Sequence, residues 1–210
     1  MTMRLVAENL SCERGGRRVF SDLALTLEAG RALAVTGPNG VGKSSLLRVL
    51  AGLVQPASGS IRIEDGDPEL SAGEHCHYYG HLDALKPALS VLENLDFWTS
   101  FLAPGRTGAR WQPMTPIEAL EALGIDHAGD LPAAYLSAGQ RRRLALARLL
   151  VVARPVWLLD EPTSALDAAS EARLGELMSD HLAAGGMIVA ATHQTMPLAE
   201  VGTLRLEAPA

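Results

Sequence analysis

Cysteine is scarce in this sequence: there are two in 210 residues, Cys12 and Cys76, far apart and in no CxxC pairing. That excludes a disulfide framework and fits a reducing compartment. Positive charge is also in short supply. A net charge of -6 leaves no electrostatic footprint for nucleic acid. Long apolar runs are missing as well. The longest stretch without Asp, Glu, Lys or Arg, from His181 to Ala199, holds Gly185, Gly186 and Pro197 and would make a poor membrane span. The start, Met1 to Leu10, carries charges and no apolar h-region. There is no internal repeat and no low-complexity tract. What remains is a globular composition, 48% hydrophobic and 20% charged, of a length that supports one substantial core. Any membrane link is expected to run through a partner.

Several segments read as strands by alternation or by short apolar runs: Arg4–Glu8, Arg18–Phe20 with Leu23–Leu27, Ala32–Thr36, Ser60–Glu64, Cys76–Tyr79, Val156–Asp160, Met187–Thr192 and Thr203–Leu206. Asn9, Gly15-Gly16 and Ala29-Gly30 supply turns, and the early strands look antiparallel. Leu46, Leu47 and Leu50 recur at helical spacing up to Gly52. Leu85 to Leu150 reads mostly as helix, with a polar loop over Ala103–Pro116, and Ala165–Ala184 reads as another helix. Strands separated by helices imply parallel βαβ crossovers, so an α/β core is expected, with the helical stretch of about 82–150 inserted into it.

Gly37-Pro38-Asn39-Gly40-Val41-Gly42-Lys43-Ser44, with Ser45 after it, fits GxxxxGK[ST] between a buried strand and a helix. The glycines let backbone N–H groups turn in around phosphate oxygens, and the helix N-terminus adds partial positive charge. Lys43 can reach β- and γ-phosphates, and the Ser44 hydroxyl can ligate Mg²⁺. A chance match in a chain of this length is on the order of one in a hundred from average residue usage. Val156–Leu159 is an apolar run that ends in Asp160 and Glu161. On a strand emerging beside the loop, Asp160 would stand near the metal and Glu161 would orient and polarise the attacking water. Alone, that pair reads more readily as two acids at a strand end; beside the phosphate loop it does not. His193 follows the next buried strand, and parallel neighbours deliver their ends to one edge, which suits a sensor of the γ-phosphate.

Leu136-Ser137-Ala138-Gly139-Gln140 precedes a helical run from Arg141, with Ser137 placed as an N-cap. Taken with the motifs above, it resembles the LSGGQ signature of the ATP-binding-cassette family, Ala138 replacing the first glycine. In the same register, Gly37–Ser44 resembles that family's Walker A, Trp157–Glu161 its Walker B, Ser164–Asp167 its D-loop and His193 its switch histidine. The resemblance covers essentially the whole chain. It implies a P-loop NTPase (RecA-like) parallel-sheet core with an N-terminal antiparallel β-subdomain and an inserted α-helical subdomain. It also implies ATP and Mg²⁺ as cofactors and a head-to-tail homodimer, in which Ser137, Ala138, Gly139 and Gln140 of one copy close over the ATP held by the other.

Two positions depart from the family pattern. His81 stands where the family carries a glutamine that contacts the metal, and near Glu13-Arg14-Gly15 there is no aromatic to stack on adenine, which leaves Arg14 or Phe20 to cover the base. With Glu13–Arg17, Tyr79-Gly80-His81 and Leu85-Lys86, the chain looks most like the branch that serves bacterial c-type cytochrome maturation by haem export. That likeness implies a peripheral subunit on the cytoplasmic face of the inner membrane. Its partners would be integral CcmB- and CcmC-like subunits and, indirectly, a haem chaperone. Docking to the membrane subunits would fall in Leu82–Phe101. The alternative is a small transporter cassette with another cargo. His75-Cys76-His77 also invites a metal or haem reading, with the two histidines on one strand face, but two ligands make an incomplete site.

Overall fold

Apolar alternation sorts the strands into two sheets with different duties. The computed structural model describes residues 2–102, 112–164 and 166–207. In chain order its strands are β1 (Arg4–Arg14), β2 (Arg17–Glu28), β3 (Ala32–Thr36), β4 (Ser58–Glu64), β5 (Cys76–Tyr79), β6 (Val156–Asp160), β7 (Met187–Ala191) and β8 (Gly202–Arg205). Its helices are α1 (Lys43–Leu50), α2 (Val91–Phe101), α3 (Pro116–Ala122), α4 (Ala138–Val151) and α5 (Ala168–Ala183). β2, β1 and β4 form an antiparallel sheet in that order. β5, β6, β7, β3 and β8 form the second sheet, and every neighbouring pair in it is parallel.

The parallel sheet is apolar on both faces, as such sheets must be when both are covered. Trp157, Leu159, Ile188 and Ala190 face a core shared with α2, α3, α4 and α5. Val156, Leu158, Met187 and Val189 face the other way, into a core shared with α1 and the antiparallel sheet. β6 and β7 are buried along their whole length. Because all five strands run the same way, β3, β5, β6 and β7 deliver their carboxyl ends to one edge, where ligands of open α/β sheets bind.

Several expectations shift in detail. The first strand does not turn at Asn9 but runs on to Arg14; Asn9 takes φ 50° inside it, where the register with β2 slips. The turn comes at Gly15 and Gly16, with φ 57° and 74°, the positive pair that a two-residue hairpin needs. The helix expected from Leu85 starts at Val91, because Ser90 caps it and bonds reciprocally with Glu93. Pro116 opens α3 rather than closing a loop: Thr115 caps it, and the first helical position needs no N–H donor. Most of the loop expected over Ala103–Pro116 lies outside the described residues, as does Ala165 of the expected D-loop. α5 begins at Ala168 under an Asp167 cap.

His75 and His77 do not share a strand face. His75 ends a 3₁₀ turn over Ala72–His75, where Nδ1 meets the Ser71 carbonyl and Nε2 accepts from the Asp67 N–H. His77 is on β5, with Nε2 against the Val152 carbonyl at 2.7 Å. The pair is therefore two separate structural histidines.

His77 and His181 are both buried, and His181 stacks on Trp157 with ring centroids 4.0 Å apart. Burial pushes each imidazole down to about 3. In the unfolded chain each would titrate near 6.5, so below that pH the unfolded state binds more protons and stability falls. The loss starts as pH drops through about 6.5 and continues towards 3, at up to about 1.4 kcal/mol per pH unit for each group. We expect the urea midpoint to fall steadily from pH 7 to pH 5, a range in which ordinary carboxylates stay ionised. His181→Phe, which keeps the stacking on Trp157, should roughly halve that slope. Equal slopes in the two proteins would contradict this account.

Candidate functional site

β3 leads directly into the glycine-rich turn, and the turn leads into α1. Gly37, Gly40 and Gly42 have φ values of 138°, 79° and 112°, which L side chains rarely adopt. Space is short as well. A Cβ on Gly37 would sit 2.4 Å from the Leu206 carbonyl oxygen, and one on Gly42 would sit 2.3 Å from Val19 Cγ1 of β2. Val41 turns inward and is buried in the core. The carbonyls of Gly37 and Pro38 accept from Lys43 Nζ at 2.9 and 3.2 Å. Asn39, Gly40, Gly42, Lys43, Ser44 and Ser45 then line a cavity of about 430 Å³.

The far wall of that cavity comes from the neighbouring strand ends. Asp160 closes β6, and its Oδ1 accepts from the Ser44 hydroxyl at 3.0 Å. Those two oxygen donors meet at the cavity wall and suit a hard cation such as Mg²⁺. Glu161 and His193 line the same cavity, with His193 Nε2 3.7 Å from Glu161 Oε1. Lys43 Nζ lies 2.9 Å from His193 Nε2, so with Nζ donating, that ring nitrogen accepts. The loop bearing His193 is braced on each side. Gln194 N–H donates to Thr192 Oγ1 at 3.0 Å, and Thr163 Oγ1 donates to Gln194 Oε1 at 2.8 Å.

His81 and Arg14 both reach this cavity. Phe20 does not; it is 5% exposed and packs in the core beneath the antiparallel sheet, so it offers no face to a base. Among the described residues, no Phe, Tyr or Trp lines it. Ser137, Ala138, Gly139 and Gln140 do not line the cavity either. Ser137 caps α4 and shares a capping box with Gln140, and a Cβ on Gly139 would meet nothing within 4 Å. Within one chain, then, the loop, the two acids and the histidine come together, while the capped helix tip stands apart and open.

Three side chains that sequence reasoning passed over also belong here. Arg48 lines the cavity and donates through Nε to the Tyr78 hydroxyl at 3.2 Å. Burial pushes the Tyr78 phenol above its ordinary value, and the nearby Asp160 carboxylate acts in the same direction. Arg142, buried on α4, bonds to the carbonyls of Asp160 and Glu161. Nothing in the run Arg141–Arg143 marks its middle member as the buried one, except its spacing from the buried Ala145 and Leu146.

A second cavity of about 410 Å³ adjoins the first, with Arg48 and His81 lining both. Its lining is largely apolar, with Leu53, Leu82, Trp98 and Phe101, and it also holds Arg148 and Arg154. Among the described residues, no helix is long and apolar enough to cross a membrane.

The pattern of the ABC transporter family matches residues 20–164. The chain belongs to the ABC transporter family. Curated relatives include the "Cytochrome c biogenesis ATP-binding export protein CcmA" of Nitrobacter winogradskyi, 59% identical over 94% of this chain and 95% of that protein. The protein of the same name from Bradyrhizobium diazoefficiens is 57% identical over 92% and 94%. Among solved structures, an ATP-binding subunit of an ABC transporter superposes with a TM-score of 0.75 at 22% identity, over 90% of this chain and 79% of that one. A chain of a metal-chelate type ABC transporter in an inward-facing conformation gives 0.71 at 30% identity, over 92% and 74%. The expected P-loop NTPase fold, with its parallel core, antiparallel sheet and helices, is the fold found. As a member of this family the chain is an ATP-binding subunit.

Arg14 reaches the cavity and, among the described residues, no Phe, Tyr or Trp lines it, so discrimination between purines should be weak. We expect kcat/KM for GTP within about tenfold of that for ATP, since no built pocket reads the base edge. A strict preference for ATP in the same assay would count against Arg14 as the base-covering group.

Proposed function

We propose that this protein is the ATP-hydrolysing subunit of an ABC export complex that serves c-type cytochrome assembly through haem handling. The observation that carries the proposal is the split phosphate site. Asn39, Gly40 and Gly42–Ser45 line one side of a cavity with Glu161 and His193, and the capped tip Ser137–Gln140 of the same chain does not line it. The capping box satisfies the Ser137 and Gln140 N–H groups, and the positive end of the helix still gains from an anion if a second copy presents one. Two copies placed head to tail satisfy both tips, and each ATP then lies between them. The relatives named as cytochrome c biogenesis ATP-binding export proteins support the choice of system.

In this arrangement Lys43 and the loop N–H groups hold the β- and γ-phosphates. Mg²⁺, at Ser44 and Asp160 with His81 beside them, would neutralise phosphate charge. Glu161 orients the attacking water and draws off its proton, and His193 reports on the γ-phosphate. Residues of about 82–150 form the helical subdomain that carries the tip. Loss of the γ-phosphate removes the bridge between copies, so cleavage loosens the dimer.

The partners are a second copy of this chain and integral CcmB- and CcmC-like subunits, with the haem chaperone served indirectly; the acidic charge argues against nucleic acid. The protein works at the cytoplasmic face of the bacterial inner membrane. The second cavity supports a docking place for a cytoplasmic segment of the membrane subunit. Leu82 and Phe101 at its mouth are 81% and 67% exposed, and Arg48, Arg148 and Arg154 favour an apolar segment that carries a carboxylate.

Glu161→Gln should still bind ATP and should become dimeric on adding it, as read by analytical ultracentrifugation. Its cleavage rate should fall by about a hundredfold or more, as losses of a catalytic base do. A variant that stays monomeric with ATP and the membrane partners present would sink the proposal. Leu82→Asp with Phe101→Asp should abolish co-purification with the membrane subunits while leaving ATP binding intact. Recovery of different membrane subunits with the unaltered protein would point to another cargo.

A further inference from the structure

α4 reaches the reacting end of β6 through one side chain. Arg142 is buried, and its planar fork presents donors in two directions. Nη1 donates to the Gly80 carbonyl at 3.0 Å and to Asp83 Oδ1 at 3.4 Å. Nη2 donates to the Glu161 carbonyl at 3.0 Å and to the Asp160 carbonyl at 3.4 Å. The guanidinium rests on the Tyr79 ring, with Cζ 4.2 Å from the centroid. One side chain thus joins the helix that bears the tip, the segment that leads to His81, and the strand end that bears Glu161.

Glu161 needs such a hold. Its φ is 49°, in the left-handed region that L-residues other than Asn and Asp seldom adopt. Its N–H donates to the Ala191 carbonyl of β7 at 2.8 Å, which fixes the peptide plane before it. Its own carbonyl accepts from Arg142 and from the Ser164 N–H at 3.1 Å, which fixes the plane after it. With both planes pinned, the direction of the Cα–Cβ bond is set, and the carboxylate points into the cavity toward His193. Released from Arg142, the backbone can relax to an ordinary φ and turn the carboxylate away.

We propose that Arg142 is a positioning residue for ATP hydrolysis. It holds Glu161 in its left-handed conformation, and through α4 it ties the aim of Glu161 to the location of the tip at Ser137–Gln140. Arg142 lies five residues beyond Ser137 on a rigid helix, about 7–8 Å along its axis. A movement of the tip as it takes up a phosphate is carried to the guanidinium. This role rests on the reading of Glu161 as the base.

A double-mutant cycle on the full chain tests it, using single-turnover ATP cleavage at saturating ATP and Mg²⁺. Arg142→Lys keeps the charge but cannot span both pairs of acceptors. It should lower the cleavage rate by about thirty- to a hundredfold, the scale of a misplaced catalytic group, with KM for ATP changed by less than about threefold. In the Glu161→Gln background the same change should have no further effect, because the group it positions is gone. Losses that multiply in the double variant would overturn the role of Arg142 and leave the base assignment standing. A wild-type rate in Glu161→Gln alone would sink the base assignment, and this role with it. Should Arg142→Lys fail to fold in a thermal melt, Asp83→Ala takes its place, since it loosens the guanidinium from the half-exposed side. That variant should slow cleavage by about five- to tenfold, again with no added effect in the Glu161→Gln background; an effect that persists there refutes the proposal.

Discussion

Everything at the cavity beside the glycine-rich loop depends on the parallel ladder β3–β7–β6. Ala34 pairs with Ala190 and Leu159 with Ala190, so β7 holds its two neighbours in fixed register from both sides. That register sets Gly37, Glu161 and His193 at a common edge. A slip of one residue in β6 would turn Asp160 away from Ser44 and bury a carboxylate where Leu159 now lies. The chain prevents this by making the three strands almost wholly apolar and covering both faces. The rigidity of a buried sheet therefore underlies the placement of charges that the sheet itself does not contain.

The antiparallel sheet and the helices solve different problems around that ladder. The sheet, with α1, caps one face and places Val19 beside the phosphate loop, while α2 to α5 cap the other and α4 carries the exposed tip. Asn94 shows how the helical part is anchored. It is fully buried, and its amide donates to the carbonyls of Lys86, Leu89 and Ser90 while its carbonyl accepts from the Lys86 N–H. The segment between β5 and α2 runs without regular structure, and one side chain satisfies the backbone that would otherwise be stranded there.

Much of this could be read from sequence because the loop, the acid pair and the capped tip are local patterns with fixed spacing. β3, β6 and β7 were legible from apolar runs whose ends were marked by Gly37, Asp160 and Thr192. The strand limits at Asn9 and His75 were not, for local reasons. Asn tolerates the left-handed region inside a bulged strand as well as in a turn, and a 3₁₀ turn of four residues leaves no periodicity to detect. Arg142, Tyr78 and Arg48 were missed because their partners are backbone carbonyls or residues 18 to 62 positions away. Sequence spacing carries no record of such contacts.

The close approach of Gly42 to Val19 reaches further than the loop. Val19 belongs to an edge hairpin whose outer rungs are exposed, yet its methyl group is the floor on which the cradle sits. Rungs of that hairpin are therefore not equivalent: a bulkier residue at 19 would press on Gly42 and deform the cradle, whereas its exposed residues have no such neighbour above them. In this way an accessory sheet with no acid or phosphate loop of its own sets the clearance beneath the cradle, and one rung of it shares the loop's steric limits.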